Sequence, residues 1–166
     1  MSIPKMRILS QEIQYLEKLN GKLIFIILYA FMLLWAEVTN SLPRALLFLI
    51  SIDSEDYFNF QVEGINQTEE LIWAIFLAPI LETLFYQGLI LQVIFKKIVI
   101  EYRIILTSCL FFIDHYFTNG MGNALNAFGL CMAFSVCWYI FHKRYGVVKA
   151  ILATLFLHSL WNTLCL

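Results

Sequence analysis

Charge is what this sequence has least of. Only 14% of its 166 residues are Asp, Glu, Lys or Arg, whereas a soluble domain carries about a quarter, and 61% are hydrophobic. That balance excludes a water-soluble globule. The formal net charge of −1 says nothing about partners, because the charges are segregated along the chain; no nucleic-acid partner is expected. Four cysteines, Cys109, Cys131, Cys137 and Cys165, sit inside apolar segments without a CxxC spacing. They read as small packing residues, which excludes a disulfide frame and a thiolate metal site. The HExxH pattern of helix-borne zinc proteases is missing, and so are internal repeats and low-complexity stretches. The apolar run Leu23–Ala36 follows a mixed-charge stretch and leads into Glu37 without a small-x-small cleavage pattern, so an anchor is expected there, not a cleaved leader.

What is present is a set of long apolar blocks, close to the roughly 20 residues a bilayer-spanning helix needs. Five segments can be drawn: one from Leu23 fading near Leu42 with a core of 14 residues, then Leu71–Phe95, 104–117, Ala124–Phe141, and Val147 to the C-terminus. The first is the weakest, since its short core also suits a re-entrant or interfacial helix. The fold class is therefore an all-α, polytopic transmembrane bundle of about five spans in the lipid bilayer. Residues 1–70 hold the N-terminal segment, the first membrane segment and an acidic connection, with an interfacial stretch placed at Ala45–Ile52. Residues 71–166 form a four-helix core. Charge placement agrees. With the N-terminus in the cytoplasm, stretches 1–22, 96–103 and 142–149 face inward and hold ten of the eleven basic residues. The connection 43–70 carries one basic and six acidic residues. The excess of Lys and Arg on one side fixes that orientation, with the C-terminus on the other face. Asn66-Gln67-Thr68 is a formal glycosylation sequon on the outer face, read as chance occurrence. Trp35, Trp73, Trp138 and Trp161 fall towards span ends and suit interfacial anchoring.

Ionisable groups at bilayer depth cost about 2.5–3.5 kcal/mol each on insertion scales, so they mark function by default. The candidates are Glu82, Asp114, His115 and His158, with Asn162 one turn beyond His158. At 1.5 Å per residue, Glu82 stands ~20 Å above Phe95, His115 ~17 Å above Ile104, and His158 ~17 Å above Val147. Three helices of differing direction thus put their polar groups in one layer. Each alone reads equally well as a hydrogen-bonding strut between helices; together they point to one site. His158 and Asn162 share a face, as do Phe111 and His115, Glu82 and Tyr86, and Thr83 and Gln87. Pro79 removes a backbone donor three residues before Glu82 and is expected to kink or open that helix. Asp114, about 100° away from His115, is expected to support the site, line a water path or pair elsewhere.

These motifs resemble the CAAX prenyl endopeptidase and bacteriocin-processing group of intramembrane proteases, known as CPBP or Abi. That family carries EExxxR, FxxxH and HxxxN or HxxxD in separate spans. Here the segment from Ala78 to Gly88 fits the first motif, Phe111 to His115 the second, and His158 to Asn162 the third, over about residues 70–166. The first motif departs from the pattern, with Thr83 for the second Glu and Gln87 for the Arg, so a Thr–Gln hydrogen bond is expected to replace an ion pair.

The resemblance implies an intramembrane endopeptidase acting on a membrane-associated peptide or protein. Glu82 would activate a water, His115 would hold that water or share its proton, and His158 and Asn162 would donate to the oxyanion. Tyr86, Thr83, Gln87, Phe111 and Asp114 would support them. The family was once described as metalloproteases, and Glu82, His115 and His158 would be the zinc ligands; a metal-free glutamate mechanism is favoured because the three come from separate helices. The alternative is a non-catalytic membrane immunity or binding protein of the same family. A proton relay or carrier built on the same residues is a third reading, disfavoured by the missing repeat.

Overall fold

A computed structural model describes residues 7–49 and 67–165, all of them helix or short turn. The acidic segment through residue 66, the glycosylation sequon's Asn66 and residues 50–52 of the interfacial stretch lie outside the described residues. Helix α1 (Arg7–Leu16) precedes α2 (Gly21–Leu49), whose first turn is capped by Asn20, with Oδ1 2.9 Å from the Leu23 amide. α2 is a full helix of 29 residues, about 43 Å long, and its backbone stays helical through residues 45–49. The first segment is thus a single unbroken helix, long and apolar enough to span a membrane. Its short apolar core understated it because Glu37 and Asn40 interrupt the pattern without breaking the helix.

The second span, α3, is a continuous helix over 67–94 built from four stretches. Gln67–Ile72 and Ala78–Glu82 are α-helical, while Trp73–Leu77 and Thr83–Ile94 are wound more widely as π-helix. The π register shows in its hydrogen bonds, with the Ala78 amide on the Trp73 carbonyl and the Phe95 amide 3.0 Å from the Ile90 carbonyl. At the far end, Arg103 donates from Nε and Nη2 to the Leu91 carbonyl at 2.9 and 2.6 Å, satisfying an acceptor the helix end leaves open.

Residues Ile100–Tyr145 are helical except at Gly120, where φ is 80° and ψ 176°. One continuous helix of 46 residues would measure about 69 Å, more than twice the ~30 Å hydrocarbon core. Instead the glycine, in a region that favours residues without a Cβ, divides it into α4 (100–119) and α5 (121–145). The two halves fold back on each other: Phe111 packs with Ala127 and Cys131. Gly146 then leads into α6 (Val147–Cys165). Four stretches, Gly21–Ser41, Trp73–Ile94, Ile100–Tyr145 and Val147–Leu164, are long and apolar enough to cross a membrane, and the third is bent in two at Gly120. The result is an integral, multi-pass helical bundle.

The core lies between α2, α5 and α6, where Ile24, Leu28 and Met32 meet Phe134, Trp138 and Leu157. Two of the tryptophans read as interfacial anchors belong to this core: Trp138 is 1% exposed and Trp161 5%. Their position near span ends did not reveal which way the ring faces. Trp73 is exposed, and Trp35 donates its indole N–H to the Leu125 carbonyl at 2.9 Å. The ring reaches that carbonyl only because residue 129 is glycine; a Cβ there would overlap the indole. The basic residues 142–144 are the last turn of α5, where Lys143 bonds Glu17 at 2.8 Å and ties the N-terminal region to the bundle.

Gly129→Ala is therefore expected to expel Trp35 and lower bundle stability by about 1–3 kcal/mol, read from denaturant midpoints in detergent. Trp35→Ala in that background should cost much less than it does in the parent. Full additivity would show that the two residues do not meet.

Candidate active site

Glu82 lies where the short α-helical stretch of α3 passes into its second π-helical stretch. His115 is on α4 and His158 on α6, and all three line a single cavity of about 400 Å³. His158 Nε2 lies 3.4 Å from Glu82 Oε2, close for an ion pair and long for a hydrogen bond. The imidazole is 5% exposed and the carboxylate 27%, so the acid fronts the cavity while the base stands behind it. The shared depth inferred from helical rise corresponds to shared space.

Both rings are held by phenylalanines. Phe134 stacks on His158 at 4.3 Å between centroids, and Phe111 tilts against His115 at 4.2 Å. Phe111 also supplies its carbonyl, 3.1 Å from His115 Nδ1. A carbonyl only accepts, so Nδ1 carries the hydrogen and Nε2 keeps a lone pair. The spacing of four residues between Phe111 and His115 thus sets ring position and tautomer at once. His158 Nδ1 is buried without a partner, which leaves Nε2 as its working nitrogen.

Asn162 also lines the cavity, but its Nδ2 donates to the Ala74 carbonyl at 2.7 Å. The reason lies in α3. The Ala78 amide, which would serve Ala74 in an α-helix, is drawn to Trp73 by the π register. The i+5 donor that the π register would supply instead is residue 79, a proline without an N–H. Ala74 is thus orphaned twice over, at a depth where an unmet carbonyl is costly, and Asn162 meets the need from the neighbouring helix. Asn162 spends one N–H on fixing α3 against α6, a use the sequence pattern alone did not disclose.

The supporting residues divide. Phe111 belongs to the cavity wall; Tyr86, Asp114, Thr83 and Gln87 do not line it. Tyr86 donates its hydroxyl to Asp114 Oδ2 at 3.0 Å, linking α3 to α4 beside the site. The expected Thr83–Gln87 hydrogen bond is absent: the Thr83 hydroxyl is buried with no partner, and Gln87 Nε2 reaches Cys131 Sγ at 3.5 Å. With Cys131 and Ser135 both fully buried, that surface offers Gln87 only neutral partners. Asn119, Asn123 and Asn126 line the cavity too, and sequence reasoning passed over them. The signal was the spacing of Asn123 and Asn126, three apart on one helical face. Among the described residues no three His, Cys, Asp or Glu side chains are grouped closely enough to hold a metal ion.

Asn162→Ala strands the Ala74 carbonyl and should cost about 1–3 kcal/mol of stability in detergent. Pro79→Ala restores an N–H within reach of that carbonyl, so Asn162→Ala in the Pro79→Ala background should cost at most half as much. Equal losses in both backgrounds would separate the two residues.

No curated protein and no solved structure matches the chain. A family model does, over residues 65–164: the type II CAAX prenyl endopeptidase Rce1-like family. It covers the three spans that bear Glu82, His115 and His158, together with the α5 wall between them. The chain belongs to the Rce1-like family of type II CAAX prenyl endopeptidases, a family of membrane proteases.

Proposed function

We propose that this protein is an intramembrane endopeptidase that hydrolyses a peptide bond of a membrane-associated peptide or protein, using Glu82 and the two histidines without a metal. The observation that carries it is the Glu82–His158 contact of 3.4 Å on a cavity that His115 also lines. A carboxylate, a neutral imidazole with a free lone pair and a second imidazole offering N–H provide the two things amide hydrolysis needs. One is a nucleophile formed at neutral pH; the other is a donor where negative charge develops.

In this reading a water sits between Glu82 and His115 Nε2. Glu82 takes its proton as the oxygen attacks the carbonyl carbon, and the C=O pair moves onto oxygen. His158 Nε2–H turns from the Glu82 carboxylate to that oxyanion as Glu82 loses its charge. The oxyanion pair then re-forms the C=O as the C–N bond breaks and the glutamic acid returns its proton to the departing nitrogen, leaving a carboxylic acid, an amine and the Glu82 carboxylate. Asn162 keeps the α3 turn open above Glu82 through Ala74, and its second N–H is available to the oxyanion. The orientation assigned from basic-residue placement, with a cytoplasmic N-terminus, belongs to this proposal. So does the substrate class, with a prenylated CAAX-type C-terminus and a peptide precursor as candidates.

The test is cleavage in detergent of an internally quenched farnesyl-cysteine peptide and of an unprenylated precursor peptide. Glu82→Gln, His115→Ala and His158→Ala should each lower kcat/KM by about 10²–10⁴-fold with the fold intact by circular dichroism. Chelator should leave the rate unchanged; loss restored by added zinc would overturn the metal-free mechanism. Protection of cells from a bacteriocin that survives all three substitutions would replace proteolysis with passive immunity.

A further inference from the structure

The cavity has a polar lining that the acid and the imidazoles do not use. Asn119 donates Nδ2 to the Thr118 hydroxyl, and Asn123 Nδ2 donates to the Asn119 carbonyl, each at 3.0 Å, so both amides knit the turn at Gly120. Asn126, one turn further into α5, is different. It makes no hydrogen bond with any described residue, and its Oδ1 is wholly buried. Below it on the same helix the cavity wall is apolar: Ala127, Leu130 and Phe134. An acceptor taken out of water and left unmet is unfavourable in any protein interior, and more so within a bilayer. Removing it would lose no bond in the resting molecule. No described residue meets it, which leaves the position open to a partner from outside the chain.

The chemistry of that partner follows from the atom. A carboxamide oxygen only accepts, so it cannot bind the carbonyl under attack; it needs an N–H. A peptide drawn out in extended form offers one main-chain N–H per residue, and each needs an acceptor at bilayer depth. We propose that Asn126 is a substrate-binding residue whose Oδ1 accepts a main-chain N–H of an extended peptide, setting the register that brings the neighbouring carbonyl to Glu82. This rests on the peptidase reading for its substrate class. The apolar turn below takes the peptide's side chains, and the acceptor takes its backbone, so binding is tolerant of sequence and strict in register.

The experiment separates this residue from that reading. Glu82→Gln protein in detergent is titrated with the farnesyl-cysteine peptide, followed by fluorescence anisotropy, and with analogues in which one main-chain N–H at a time is replaced by ester oxygen. One analogue should bind about tenfold more weakly than the parent peptide. In Glu82→Gln/Asn126→Ala the parent peptide should already be about tenfold weaker, and that same ester should cost nothing further. Melting temperature should be unchanged by Asn126→Ala. In otherwise wild-type protein the substitution should raise KM about tenfold and leave kcat within threefold. Equal peptide affinity with and without Asn126 overturns the proposal even where cleavage proceeds normally, and so does a peptide that binds neither protein. Asn126-dependent binding by a protein that cleaves nothing leaves this residue's role standing and removes the peptidase reading instead.

Discussion

Every backbone carbonyl in a bilayer must find a donor inside the protein, and the Ala74 carbonyl, in the middle of α3, does not find it within its own helix. Ala74 is deprived by the π-helical register on one side and by Pro79 on the other. Its rescue by Asn162 at 2.7 Å joins α3 to α6 at the level of the site. The Glu82–His158 contact spans the same two helices. The geometry of the Glu82–His158 contact therefore depends on a backbone accommodation several residues away. A wide helix turn is tolerated because the neighbour completes it, and the completed turn presents the carboxylate to open space.

The polar residues at bilayer depth fall into two populations. Glu82, His115, His158, Asn126 and Asn162 face the cavity. Thr83, Gln87, Ser108, Cys131 and Ser135 are buried, with Gln87 bonded to Cys131 across the α3–α5 boundary. Small and neutral side chains in that second set let helices approach closely without placing charge in low dielectric.

Much of this was legible in the amino-acid sequence, because the bilayer reduces the problem. Apolar runs gave the helices, helical rise gave the depths, and a common depth on separate helices gave the meeting of Glu82, His115 and His158. The chain reversal was legible at Thr118-Asn119-Gly120. What stayed hidden depends on helical azimuth and on exact register. The period of a π-helix is not the period assumed when residues are assigned to faces, so Tyr86, Thr83 and Gln87 could not be sorted around α3 by spacing alone. The inward turn of Trp138 and Trp161 is likewise a matter of rotation, not of height. The use of Asn162 followed from a missing hydrogen on Pro79 and a displaced one on Ala78, which only coordinates put side by side.

Gly120 has a mechanical corollary. With a single residue between α4 and α5, the wall carrying His115 and Asn126 is one stiff hairpin whose spread is set by covalent geometry. The opposite wall is α3, widely wound over two stretches and joined to α6 by Asn162 on Ala74 and by the Glu82–His158 contact. The two walls of the cavity are therefore built differently: one is set by a single-residue turn, the other, which carries Glu82, by bonds between a side chain and a displaced backbone.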